Sequence, residues 1–64
     1  MKNSEIDEAI REYIHSEVDR QILRRRMIDG LHYDELAEEF NYSVRHIKRK
    51  VYKLQEEIFK HVKP

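Results

Sequence analysis

Sixty-four residues, 41% of them charged and 39% hydrophobic, make one small domain whose core is near the lower size limit for independent folding. The absence of cysteine excludes disulfides and thiolate metal sites, and no apolar run is long enough to span a membrane. Thirteen basic residues balance thirteen acidic ones, and a single Gly and a single Pro leave too few turns for a β-sandwich or barrel.

These exclusions predict an all-α domain of about four helices, and without a signal-type leader it is expected in the cytoplasm. A first helix is predicted near 5–15. Ser4 is its expected N-cap, Asp7 completes an acidic capping box, and Ile6, Ile10, Tyr13 and Ile14 recur at helical spacing. Ser16, with Asp19 three residues on, repeats the signal for a second helix near 17–29. Its stripe is Val18, Ile22 and the Met27/Ile28 step. No Gly or Pro separates these two helices, so one bent helix over 5–29 is the alternative. Gly30 suits a left-handed helix exit, and Arg24, Arg25 and Arg26 precede it, where the helix dipole favours cations. The same arginines are expected to pair with Glu35, Glu38 or Glu39.

The third helix is predicted over 33–40, capped by His32, with Leu36, Ala37 and Phe40 on its buried side. Asn41 is a plausible left-handed exit, and Ser43 is a good N-cap for a last helix near 44–62. That helix carries Ile47, Val51, Leu54, Ile58 and Val62 as one continuous stripe. Leu36, Phe40, Ile47, Val51 and Leu54 are expected among the most buried residues, with Tyr33 and Tyr42 half-buried.

The zero net charge hides a pattern. Segments 1–19 and 31–42 each sum to −4, segment 20–30 to +3 and segment 43–64 to +5. Between 43 and 54 there are five cations and no acidic residue. Such a segment presents a local positive face whatever the total charge. The stretch from Gly30 to Leu54 reads as a short helix, a tight turn and a longer helix, and the small Ala37 permits the close crossing a helix-turn-helix needs. Cations on the second helix of such a pair suit the major groove of DNA.

The same stretch, GLHYDELAEEFNYSVRHIKRKVYKL, resembles the helix-turn-helix of region four of bacterial sigma factors and of LuxR-type response regulators. Ser43, Val44, Ile47, Lys48, Lys50 and Leu54 stand at places comparable with the family's Ser-Val-x-Thr-Val-Lys-x-Arg form. The preceding ILRRRMIDGL resembles the helix that runs before the sigma motif. The resemblance covers roughly residues 19 to 58. It departs from the pattern at His32, where Ser or Thr normally caps, and at Asn41, which replaces the usual turn Gly. It implies a single helix-turn-helix domain over 1–64, with the motif at 32–54 and a helical extension at 55–62. The expected activity is sequence-specific DNA binding in transcription regulation, either by an isolated domain or by a small regulator of the kind phages and mobile elements carry.

Rotation from Ile47 and Val51 at about 100° per residue leaves Val44, Arg45, Lys48, Arg49 and Tyr52 outward. Val44, Arg45, Lys48 and Arg49 are therefore the candidate base-reading residues. Ser43, Lys53, His32 and Tyr33 are the candidate phosphate contacts. Double-stranded DNA is the expected partner, with RNA polymerase a second, and Ile58, Phe59 and Val62 are expected to cover the first helix and in part a second copy of the chain. His15, His32, His46 and His61 lack metal-ligand spacing, and no nucleophile–base pair or Gly-rich phosphate loop is present, so neither a cofactor nor an enzyme is expected. The competing expectation is a helical interaction module, an adaptor or inhibitor that acts without touching DNA.

Overall fold

The computed structural model describes residues 2–61. It is all-α, with four helices among those residues: α1 (Asn3–Tyr13), α2 (Glu17–Met27), α3 (Tyr33–Phe40) and α4 (Val44–His61). α2 and α4 pack on each other, α1 and α3 each pack on both, and α1 and α3 do not touch.

α1 begins two residues earlier than the Ser4 cap predicts. Lys2 occupies the N-cap position without a side-chain bond, and its carbonyl accepts from the N–H groups of Glu5 and Ile6. Ser4 therefore lies in the first turn of α1 and does not cap it. The chain does break between α1 and α2, without Gly or Pro. Ile14 turns extended (φ −108°, ψ 122°) and stays buried, and the Ser16 hydroxyl accepts from Asp19 N–H at 3.4 Å. Arg20 closes the break from the other side. Its guanidinium donates to the carbonyls of Ile14 and Arg11, which satisfies acceptors that a helix end leaves free. α2 ends at Met27, two residues short of the expectation, and Gly30 takes the left-handed conformation at φ 75°. The Leu31 N–H bonds back to Arg25 O across that turn. Asn41, at φ 60°, ends α3 in the same way, and Ser43 caps α4 by accepting from His46 N–H at 3.1 Å.

The core consists of two clusters that share α2 and α4. Ala9, Ile10 and Ile14 meet Leu23 and Ile58 in one, while Leu36 and Ala37 meet Ile22, Ile47 and Val51 in the other. α2 therefore buries two adjacent residues, one toward each cluster. Val18, expected on that stripe, belongs to neither cluster and is 45% exposed. α4 changes partners along its length: Ile47 and Val51 face the α3 cluster, and Leu54 and Ile58 face the α1 cluster. Phe40 and Leu54 are only partly buried, contrary to expectation. Phe40 is the last residue of α3 and packs at the rim of its cluster, and Leu54 sits where α4 passes from one cluster to the other. Ile58 covers α1 as expected. Phe59 is 50% exposed, and Val62 lies outside the described residues.

Candidate nucleic-acid interface

The four helix-borne arginines of α2 are committed internally. Arg20 sits 3.8 Å from Glu17, Arg24 donates to Asp7 at 2.6 Å, Arg25 meets Glu39 at 3.1 Å and Asp29 at 3.3 Å, and Arg26 donates to Leu31 O at 2.8 Å. Of the acidic partners predicted for Arg24–Arg26, only Glu39 takes part. Asp7 on α1 is the partner of Arg24, and this bond, with the charges of Arg24 and Arg11 adding to it, holds the Asp7 carboxyl below the usual carboxylate range. A shallow concavity lined by Gln21, Arg24, Arg25, Asp29 and Glu39 is occupied by these pairs and offers no free charge.

α4 is different. Taking Val51 as the inward direction and stepping about 100° per residue places Lys50 on the flank toward α2 and Lys48 and Tyr52 on the flank toward α3. Arg45, Arg49 and Lys53 fall on the outermost strip between them. The contacts agree with this placement. Lys50 pairs with Asp19 of α2 at 2.8 Å, so one of the five cations of 43–54 is neutralised across the fold. Lys48 Nζ lies 5.7 Å from the ring centre of Tyr33, and the Tyr52 ring meets Tyr33 edge-on at 6.0 Å. The Tyr52 phenol is raised above the ordinary tyrosine range, first by a hydrogen bond with Tyr33 and then by the neighbouring phenol's charge. Arg45, Lys48, Arg49 and Lys53 are exposed and form no ion pair among the described residues.

At the start of α4, Ser43, Arg45, His46 and Arg49 line an open concavity of about 450 Å³. It combines two guanidinium groups with the positive end of the helix dipole. His46 is a lining residue that the sequence reading passed over. Its ring stacks on Tyr42 at 4.6 Å, and its place one turn after the Ser43 cap is the signal that would have found it. Val44 is 40% exposed beside this concavity.

The phosphate candidates outside α4 sit at the opening of α3. His32 holds the N-cap position, and its N–H donates to the Glu35 carboxylate at 2.9 Å, so Glu35 completes the cap from inside the helix. Tyr33 is half-buried under Arg26, whose guanidinium lies 4.3 Å from its ring centre. The structure thus brings Lys48 together with Tyr33, and Ser43 together with Arg45 and Arg49. Among the described residues no group of three or more His, Asp or Glu side chains is placed to hold a metal ion, and no helix is long and apolar enough to cross a membrane.

No family model matches the chain, and neither a curated protein nor a solved structure matches it.

Proposed function

We propose that the chain is a sequence-specific DNA-binding domain that lays α4 in the major groove, with α3 and α4 acting as a helix-turn-helix. The observation that carries this reading is the contrast in charge pairing: the arginines of α2 are bonded inside the fold, while Arg45, Lys48, Arg49 and Lys53 of α4 are exposed and form no ion pair among the described residues. Arg45 and Arg49 together with Lys53 repeat at i,i+4, where like charges repel, so the helix alone gains nothing from them. A phosphate-lined groove supplies the missing anions. Val44, Arg45, Lys48 and Arg49, on the first two turns, are assigned to base edges, with guanine the preferred target of arginine. Ser43, Lys53, His32 and Tyr33 are assigned to phosphates. Transcription regulation is the use such a domain would serve, with RNA polymerase as a further partner.

Selection of bound duplexes from random DNA tests this. Enrichment of one motif, lost when Arg45, Lys48 and Arg49 are all replaced by Ala, is the expected result. An unchanged motif in that triple variant, or no binding by the parent, would leave the adaptor reading as the better one. That second reading draws on the exposed Phe59, which lies on α4 beyond the cationic turns and offers a contact to another protein or a second copy.

A further inference from the structure

Tyr33 is the meeting point of three elements. Arg26, in the last turn of α2, sits over its ring at 4.3 Å and is itself fixed by a 2.8 Å bond to Leu31 O. Tyr52 of α4 abuts it edge-on with rings 6.0 Å apart and 80° between planes. Lys48 Nζ lies 5.7 Å from the ring centre, within the range where an aromatic face attracts an ammonium group. Lys48 differs in this from Arg45, Arg49 and Lys53, for which no comparable aromatic contact is present among the described residues. A lysine is a flexible point charge on a four-carbon stem, and one held at a fixed place can discriminate where a freely rotating one only attracts.

We propose that Tyr33 is a positioning residue, whose ring holds the Lys48 ammonium at one place on the α4 face so that Lys48 distinguishes one base pair. This rests on the DNA reading above, and it adds a role for the ring to the phosphate contact assigned to the hydroxyl. Those two roles separate by substitution. Tyr33→Phe keeps the ring and removes the hydroxyl, whereas Tyr33→Leu keeps apolar bulk and removes both.

The experiment has two arms. In the free protein, NMR should find the ε-methylene protons of Lys48 upfield of those of the exposed Lys2, because the Tyr33 ring current shields them. Tyr33→Phe should preserve that displacement and Tyr33→Leu should abolish it. Coincident Lys48 and Lys2 shifts in the parent overturn the proposal without any variant. In the second arm, Lys48→Ala defines the base pair at which preference is lost. Tyr33→Leu should lose at least about fivefold of preference at the same base pair, the low end for one direct base contact. Tyr33→Phe should weaken all sequences alike and keep the preference. If Tyr33→Leu is folded by amide NMR and retains full preference, Tyr33 is not a positioning residue, although the DNA reading stands. If the parent binds no DNA, the DNA reading fails and with it the base-discrimination role, and the first arm alone then decides whether the ring holds the ammonium.

Discussion

Asp7 joins α1 to α2 through Arg24, and its acidity carries a direct consequence for stability. Its carboxyl is lower in the folded chain than in the unfolded one, where it titrates near the ordinary aspartate value of about 3.9. The contribution is therefore present above that value and is lost as pH falls through the lower, folded value. Asp7→Asn should be less stable than the parent at neutral pH, and the gap should close as pH falls below about 4. Urea titrations at a series of pH values measure it, and a gap constant down to pH 2 would show that the bond contributes nothing to the acid limb. On the proposed DNA reading the outward cations divide by role in the same residue-by-residue way. Arg49→Ala should cost about 1–3 kcal/mol on the preferred duplex and relax preference at one base pair. Lys53→Ala should weaken every duplex alike and reduce the salt slope by about one. Fluorescence anisotropy on matched and single-mismatch duplexes separates the two, and identical profiles for both variants would remove the division between base and phosphate contacts.

At the scale of elements, α4 does two jobs along its length, and the balance between them predicts a trade-off. Its inward stripe binds both clusters, and its outward strip sets Arg45, Arg49 and Lys53 at repelling i,i+4 spacing. Arg49→Glu turns two repulsive pairs into attractive ones, which should stabilise the domain by roughly 1 kcal/mol while abolishing DNA binding. Thermal melting and anisotropy on the same variant check both halves, and a lower melting temperature would mean that the strip is not under charge strain. Ile58 is fully buried at the far end of the same helix. Ile58→Ala should cost about 2–5 kcal/mol. In a domain this small that lowers the melting temperature by at least about 8 °C. The signals that could be read locally were the caps and exits, the Ser4 cap excepted. Ser16, Gly30, Asn41 and Ser43 act within three or four residues of themselves, and each does so where the spacing places it. The pairings of Arg20, Arg24 and Lys50 depend on which helices touch, which periodicity does not contain. Leu54 was misplaced for the same reason. Its phase on α4 is right, but a stripe does not reveal that the helix changes partners midway. The outward placement of Arg45 and Arg49 was legible because one helical phase, fixed by Ile47 and Val51, determines it.

The whole molecule carries no net charge, so the proposed binding to DNA rests on arrangement and not on total charge. α1 exposes Glu5, Glu8 and Glu12, and α3 exposes Asp34 and Glu38, while Arg45, Lys48, Arg49 and Lys53, which form no ion pair among the described residues, sit together on α4. Charges farther than a Debye length of about 10 Å at 0.1 M salt are largely screened. Added salt therefore weakens the opposition of the acidic side as well as the attraction of the α4 face. Each phosphate neutralised releases condensed counterion, which contributes about −0.9 to the slope of log K against log salt. The four outward cations of 45–53 supply a slope of about −4 from one chain, and a pair of chains using the same face on two half-sites would give about −7. The salt slope thus reports stoichiometry as well as mechanism. A slope between about −3 and −4 on random duplex, with one chain per site by sedimentation, is the expected result for a monomer. A slope near −7 on the selected motif, with the motif palindromic, would establish that two copies bind and would direct attention to Phe59 as the contact between them. Measurable affinity that does not change with salt would mean that the cationic strip is not what holds the DNA.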